Sequence, residues 1–253
     1  RRLVRRLVRR LVRRLVRRRV RRQVPRLVRR RLPHLGEAHR ILGGGPCQKI
    51  AMRYPKNYVV YDFETTGLDT NTCEVVEIGA VKVQDGQVSN FETLVKMRGE
   101  MNPDAERTHG ITKDLANSGM EVNDAVRRLV EFVGHLPLVG HNIVRYDNLI
   151  LSRLLASTGI LPGPGSPRDP ALVWEPIARC VDTMALFRAR LTGDGQRWHE
   201  NHLDFAVRMG EVRVKSSLAL AASNLGVETH GMTLHRAAAD VELCRQVYEK
   251  LIA

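Results

Sequence analysis

The chain has 253 residues, long enough for one sizeable domain with extensions. Its formal charge of +14 belongs to one end: residues 1–40 hold 18 Arg and a single acid, Glu37, while the remainder holds 23 of the 41 basic and 26 of the 27 acidic residues, a net −3, so overall basicity gives no ground for calling the body of the chain a polyanion binder. Four scattered cysteines without a C-x-x-C pair, and no apolar stretch of spanning length, argue against a disulfide framework, a zinc knuckle and a membrane helix, and predict reduced thiols in a cytoplasmic setting.

Residues 1–32 form an Arg-rich leader that repeats the tetrapeptide RRLV. Four residues turn a helix by about 400°, so the Leu-Val pair drifts about 40° per repeat, and the period does not suit a strand either. With Arg pairs repelling along its length, the segment is expected to be disordered on its own. Two readings stand: an arm for nucleic acid or an anionic membrane, or a short tandem DNA repeat translated upstream of the true start. The chain begins with Arg, and Met52 stands just before the first strand, so the working protein is expected to begin near Met52. Residues 33–57, with LGGGP, then read as linker or spurious sequence.

From residue 58 onward the pattern is that of one folded domain, 58–253. Residues 58–63 alternate as a strand; 75–84 form a second, 85–87 (DGQ) a turn and 88–97 a third, which predicts an antiparallel meander. After a loop carrying RTHGIT, Val122, Ala125, Val126, Leu129, Phe132 and Val133 recur at helical spacing. A short buried strand over 136–142 leads into a helix over 145–157, and 162–170 (PGPGSPRDP) is a breaker-rich loop. Residues 178–187 read as a fifth strand running into a helix, and 190–216 are polar without a clear period. A short helix over 217–226 ends at Gly226, and 234–252 is a closing helix with Val241, Cys244, Val247, Tyr248 and Leu251 inward. The order predicts an α/β fold, a mixed sheet with helices packed on it.

Within the first strand, Asp62 and Glu64 are two residues apart and share a face with Val60. Alone, a D-x-E pair reads as a solvent-facing edge. Other polar groups weaken that reading. Asp147 opens a helix one turn before Ile150 and Leu151, and Asp240 lies in the closing helix beside Val241. His235 precedes Asp240 by five residues, so the two converge only if His235 lies before the helix or in its frayed first turn. Gathered carboxylates repel strongly, and oxygen-only ligands suit Mg²⁺ or Mn²⁺. Two such divalent cations roughly 3.5–4 Å apart can clamp the attacking and leaving oxygens of a phosphodiester, and a nearby imidazole can take a proton from water.

Three stretches, DFETTG (62–67), GHNIVRYD (140–147) and HRAAAD (235–240), together resemble the three motifs of the DEDDh, or DnaQ-like, 3′–5′ exonucleases, a group that includes the proofreading epsilon subunit of bacterial replicative polymerase. THGIT (108–112), VDTMAL (181–186) and the terminal helix add to the likeness, which covers about residues 58–253. The resemblance implies a ribonuclease-H-like fold with a five-stranded mixed sheet flanked by helices. It implies Asp62, Glu64 and Asp240 around one metal, Asp62 bridging to a second with Asp147 beside it, and His235 as general base. Thr65 and Thr66 would approach the 3′-terminal nucleotide, partly through backbone N–H groups, or would, with Gly67, simply form the turn. Asn142, assigned to substrate binding, would order the loop carrying Asp147 or serve structure alone. Asp182 reads as structural, such as a cap.

The implied partners are 3′ ends of single-stranded DNA, with RNA or short oligoribonucleotides as the alternative and a non-catalytic binding subunit as a different class. Association with a DNA polymerase is also implied, and no membrane. The chain stops at Ala253, directly after the closing helix, which favours a stand-alone or loosely associated nuclease over a dedicated proofreading subunit. Residues 188–216 are longer than expected between the fifth strand and the next helix and could line the substrate groove. Within them His199, Glu200 and His202 suggest a surface stretch ahead of a zinc site.

Overall fold

A computed structural model describes residues 54–160, 174–197, 200–229 and 235–253. The leader, Met52, most of the linker, the 162–170 loop and His199 lie outside the described residues. Five strands form one sheet in the order β3-β2-β1-β4-β5: β1 Tyr58–Thr65, β2 Val75–Gln84, β3 Gln87–Leu94, β4 Leu138–Gly140 and β5 Val181–Asp182. Strand β2 runs antiparallel to both β1 and β3, and β4 and β5 run parallel to β1. This is the mixed sheet the sequence predicts. Asp85 and Gly86, both at positive φ (52° and 79°), make the two-residue turn between β2 and β3.

Nine helices lie among the described residues: α1 Pro103–His109, α2 Lys113–Asn117, α3 Val122–Val133, α4 Asp147–Thr158, α5 Glu175–Ala178, α6 Thr183–Thr192, α7 His202–Gly210, α8 Leu218–Asn224 and α9 Ala237–Ile252. None is long and apolar enough to cross a membrane. Helices α3 and α4 cover one side of the sheet, where Val59, Tyr61 and Phe63 meet Val126, Leu129, Ile150 and Leu151. Helices α6, α7 and α9 cover the other, where Val60 joins Val139, Leu186, Phe205, Val241 and Cys244. Strand β1 is central and buried on both faces, so it reads as a nearly unbroken apolar run until the acids begin.

Two regions differ from expectation. Tyr54 to Asn57, placed in the linker by the sequence, touch the domain: the Tyr248 hydroxyl donates to the Pro55 carbonyl, and the Asn57 side chain bonds Asp85. Residues 190–216 conceal α7, which is N-capped by Asn201 and buries Phe205, Ala206 and Met209. Three inward residues over nine give too little periodic signal to stand out in a polar stretch.

Candidate active site

The acids reach one place by the alternation of β1. Asp62 and Glu64 continue the Val60 side of the strand and come out under the N-terminal end of α9. Helix α9 can lie this close because Gly79, the ladder partner of Asp62 on β2, has no side chain. A Cβ there would stand 2.5 Å from the carbonyl carbon of Ala237. One turn into α9, Asp240 then faces the strand. One carboxylate oxygen from each of Asp62, Glu64 and Asp240 lies within 4.8 Å of the others, and all three residues are half-buried.

His235 precedes α9, as its convergence with Asp240 requires. Its φ is 64°, its backbone N–H donates to Asp240 Oδ2 at 3.2 Å, and the residue is exposed at the rim of the cluster. Asp147 stands apart from the trio. It is buried at the start of α4, and its Oδ1 accepts the Phe63 N–H at 3.3 Å across β1.

Burial and mutual repulsion shift every acid here in one direction. Asp62 is pushed well above the usual carboxylate range, first by burial and then by Asp147, Glu64 and Asp240. Glu64 is pushed up to about 8 by burial, then Asp240 and Glu77. Asp147 is pushed up to about 7 by burial, against the lowering effect of its N–H partners. Asp240 is also raised by burial, with His235 opposing. Two like charges about 4 Å apart cost about 4 kcal/mol at an effective dielectric of 20. Three such pairs rival the roughly 5–15 kcal/mol that holds a whole domain together, so the cluster must share protons or accept cations. An all-oxygen donor set fits a hard divalent cation, and Asp62, Glu64 and Asp240 are the residues that would hold it.

The turn after β1 shapes the approach. The Thr65 hydroxyl bonds the Tyr146 hydroxyl at 2.7 Å, and Tyr146 also donates to the Gly67 carbonyl at 2.7 Å. His109 is buried; its Nδ1 accepts the Ile111 N–H, which leaves Nε2 as the donor to the Thr65 carbonyl. Beside Glu64 these residues border a groove of about 270 Å³, lined also by Phe63, Leu68 and Asn102. Thr66 takes part in building this turn. Its N–H donates to the Glu74 carbonyl and its hydroxyl accepts the Glu74 N–H.

Asn142 has φ 66°, and its N–H donates to Asp182 Oδ1 at 3.0 Å. Asp182 receives the Val144, Met184 and Ala185 N–H groups as well, so it caps α6 and pins the loop leading to Asp147. No described residue of 188–216 lines the groove beside Glu64. The stretch is instead tied down by Arg188 to the Met209 carbonyl and by His141 to the Ser216 carbonyl. Glu200 pairs with Arg208, and the His202 ring lies against Tyr54, which leaves those two no zinc geometry. Sequence reasoning overlooked Gly79, Glu77, Arg236 and Tyr146. The available signal was an acid and a glycine inside the buried run VVEIGAV.

A family model for the RNase_T exonucleases matches residues 59–248, a stretch that contains all of the sheet but Tyr58 and every residue of the acidic cluster. The chain belongs to this exonuclease family. Curated relatives are DNA polymerase III PolC-type proteins. That of Thermotoga petrophila is 38% identical over 86 residues, 34% of this chain and 6% of the relative. That of Clostridium perfringens is 30% identical over 127 residues, 50% of this chain and 8% of the relative. The family fold is also that of E. coli exonuclease I. Its structure in complex with a dT13 oligonucleotide matches with a TM-score of 0.58 at 19% identity, over 78% of this chain and 41% of the other. The structure with dA16 gives a TM-score of 0.57 with the same coverage. The exonuclease family member described here thus corresponds to a small part of the PolC-type polymerases and about two fifths of exonuclease I.

Proposed function

We propose that residues 58–253 form a 3′–5′ exonuclease that hydrolyses terminal phosphodiesters of single-stranded DNA and releases nucleoside monophosphates. The observation that carries this reading is the convergence of Asp62, Glu64 and Asp240 with His235 tied to Asp240 by its backbone. Two divalent cations, Mg²⁺ or Mn²⁺, would supply Lewis-acid polarisation and an activated water. Asp62, Glu64 and Asp240 would hold the first, and Asp62 with Asp147 would hold the second. An imidazole nitrogen of His235 takes the proton of the attacking water, from a rim position open to solvent. Thr65 and the groove beside Glu64 receive the terminal nucleotide, Thr66 shapes the turn beneath it, and Asn142 orders the loop to Asp147. The names of the PolC-type relatives support work alongside a DNA polymerase. The oligonucleotide complexes of exonuclease I support a single-stranded substrate.

The test is a side-by-side assay of 3′-labelled DNA and RNA oligomers of equal sequence, with Mn²⁺, on the full chain and on Asp62→Asn. Release of monophosphates from DNA by the wild type alone supports the proposal. Preferential attack on RNA would move the substrate assignment, and equal activity of both proteins would end the enzymatic reading.

A further inference from the structure

Glu77 is a carboxylate with no exposure to solvent, on a central strand, in a position the chemistry above does not use. It stands opposite Glu64 in the β1–β2 ladder, so its side chain lies on the same face as a metal ligand. Its oxygens are fully engaged. Arg236 Nε reaches Oε1 at 3.0 Å and Oε2 at 3.1 Å, Arg236 Nη2 reaches Oε1, and the Ala237 N–H donates to Oε2 at 2.8 Å.

Arg236 is the residue between His235 and α9. It occupies the N-cap position but makes no side-chain cap of its own. The orphan first N–H of the helix is satisfied from across the sheet by Glu77. A Ser, Thr, Asn or Asp at residue 236 would cap the helix locally without burying a charge. A buried ion pair is a poor source of net stability, but it fixes two segments in one relative position. Here the segments are the strand facing Glu64 and the backbone that carries His235 and Asp240. The Asp240 N–H donates to the Arg236 carbonyl, and the His235 N–H returns to the Asp240 carboxylate, so the clamp is continuous with both site residues. Arg236 also offsets the Glu77 charge beside Glu64, which leaves the cluster's negative charge to a cation.

We propose that Glu77 and Arg236 are a positioning pair that holds His235 and Asp240 against Asp62 and Glu64. The inference rests on the exonuclease reading, but its test does not depend on turnover alone. Full-length Glu77→Gln, Arg236→Gln and the double variant are compared with wild type by Mn²⁺ titration of the metal-free protein, by thermal melting, and by kcat and KM on a DNA oligomer. Each single variant should weaken Mn²⁺ binding and lower kcat by about 10–100-fold, the range for losing a partner that orients a ligand, with KM within about twofold. The double variant leaves no unpaired buried charge, so it should melt near wild type yet keep the losses in kcat and Mn²⁺ affinity. A double variant that melts normally and retains both within about twofold would overturn the proposal. A wild type inert on every nucleic acid would defeat the exonuclease reading separately, and the Mn²⁺ titration would still decide the role of the pair.

Discussion

Asp62 and Gly79 face each other across the β1–β2 ladder, and the side chain missing at Gly79 is the space occupied by Ala237. The contact would be with backbone, since a Cβ at Gly79 would sit 2.5 Å from the Ala237 carbonyl carbon and 2.7 Å from its oxygen. A backbone cannot swing aside as a flexible side chain can. Gly79→Ala should therefore lift the start of α9, costing about 1–3 kcal/mol in urea unfolding and weakening Mn²⁺ binding together. Unchanged Mn²⁺ affinity would show that the helix does not need this close approach.

The raised carboxylates make stability and metal binding depend on pH with a definite sign. Glu64 at about 8 and Asp147 at about 7 both titrate above their unfolded values, so the folded chain holds extra protons in between. That contribution is fully present below the unfolded values and is lost as pH rises towards 8. The metal-free protein should therefore lose melting temperature from pH 5.5 to pH 8 on account of this site. Added Mg²⁺ should raise the melting temperature more at pH 8 than at pH 6. Binding near pH 7 should release protons, measurable by calorimetry in buffers of different ionisation enthalpy.

Asp62→Asn removes one ionisable carboxyl from the middle of the repelling group. Its catalytic and structural effects should be opposite in sign. Nuclease activity should fall by about 10³-fold or more, the equivalent of several kcal/mol of lost transition-state stabilisation. At pH 8 the metal-free variant should melt at or above the wild-type temperature. Scanning calorimetry without metal separates this from a simple folding defect, which would lower both.

His235 combines a proposed chemical role with an unfavourable backbone. At φ 64° a glycine is more comfortable than any residue with a Cβ. His235→Gly should keep or improve stability, His235→Ala should not, and both should lose about 10²–10⁴-fold in kcat. Mn²⁺ binding should survive in both, because the imidazole is not one of the three converging ligands. Loss of Mn²⁺ binding in His235→Gly would make the residue part of the metal site.

The elements that were legible in the sequence are those whose signal is local. Alternation places Asp62 and Glu64 on one face of β1, and the position of Asp147 at the mouth of a helix follows from the run after it. Asp182 reads as a cap and is one. What could not be read is long-range. Glu77 looks like a strand residue until Arg236, 159 positions away, is placed on it. The two bonds that tie Thr66 to Glu74, eight residues on, are likewise invisible in the sequence. Helix α7 lay hidden because it buries only Phe205, Ala206 and Met209 while Leu203 and Val207 are exposed, and because its anchors, Val60 and Val139 of the sheet's second face, are distant in sequence.

Helix α9 comes last in chain order among the described elements, yet it delivers the third converging oxygen to the strand that opens the domain. A nascent chain therefore displays Asp62 and Glu64 long before Asp240 leaves the ribosome, and during that interval the three-carboxylate cluster is incomplete. Tyr248, towards the far end of α9, packs edge-on against Tyr58 at the start of β1, with ring centroids 4.8 Å apart. The docking of α9 onto β1 is thus the same event that completes the three-carboxylate cluster.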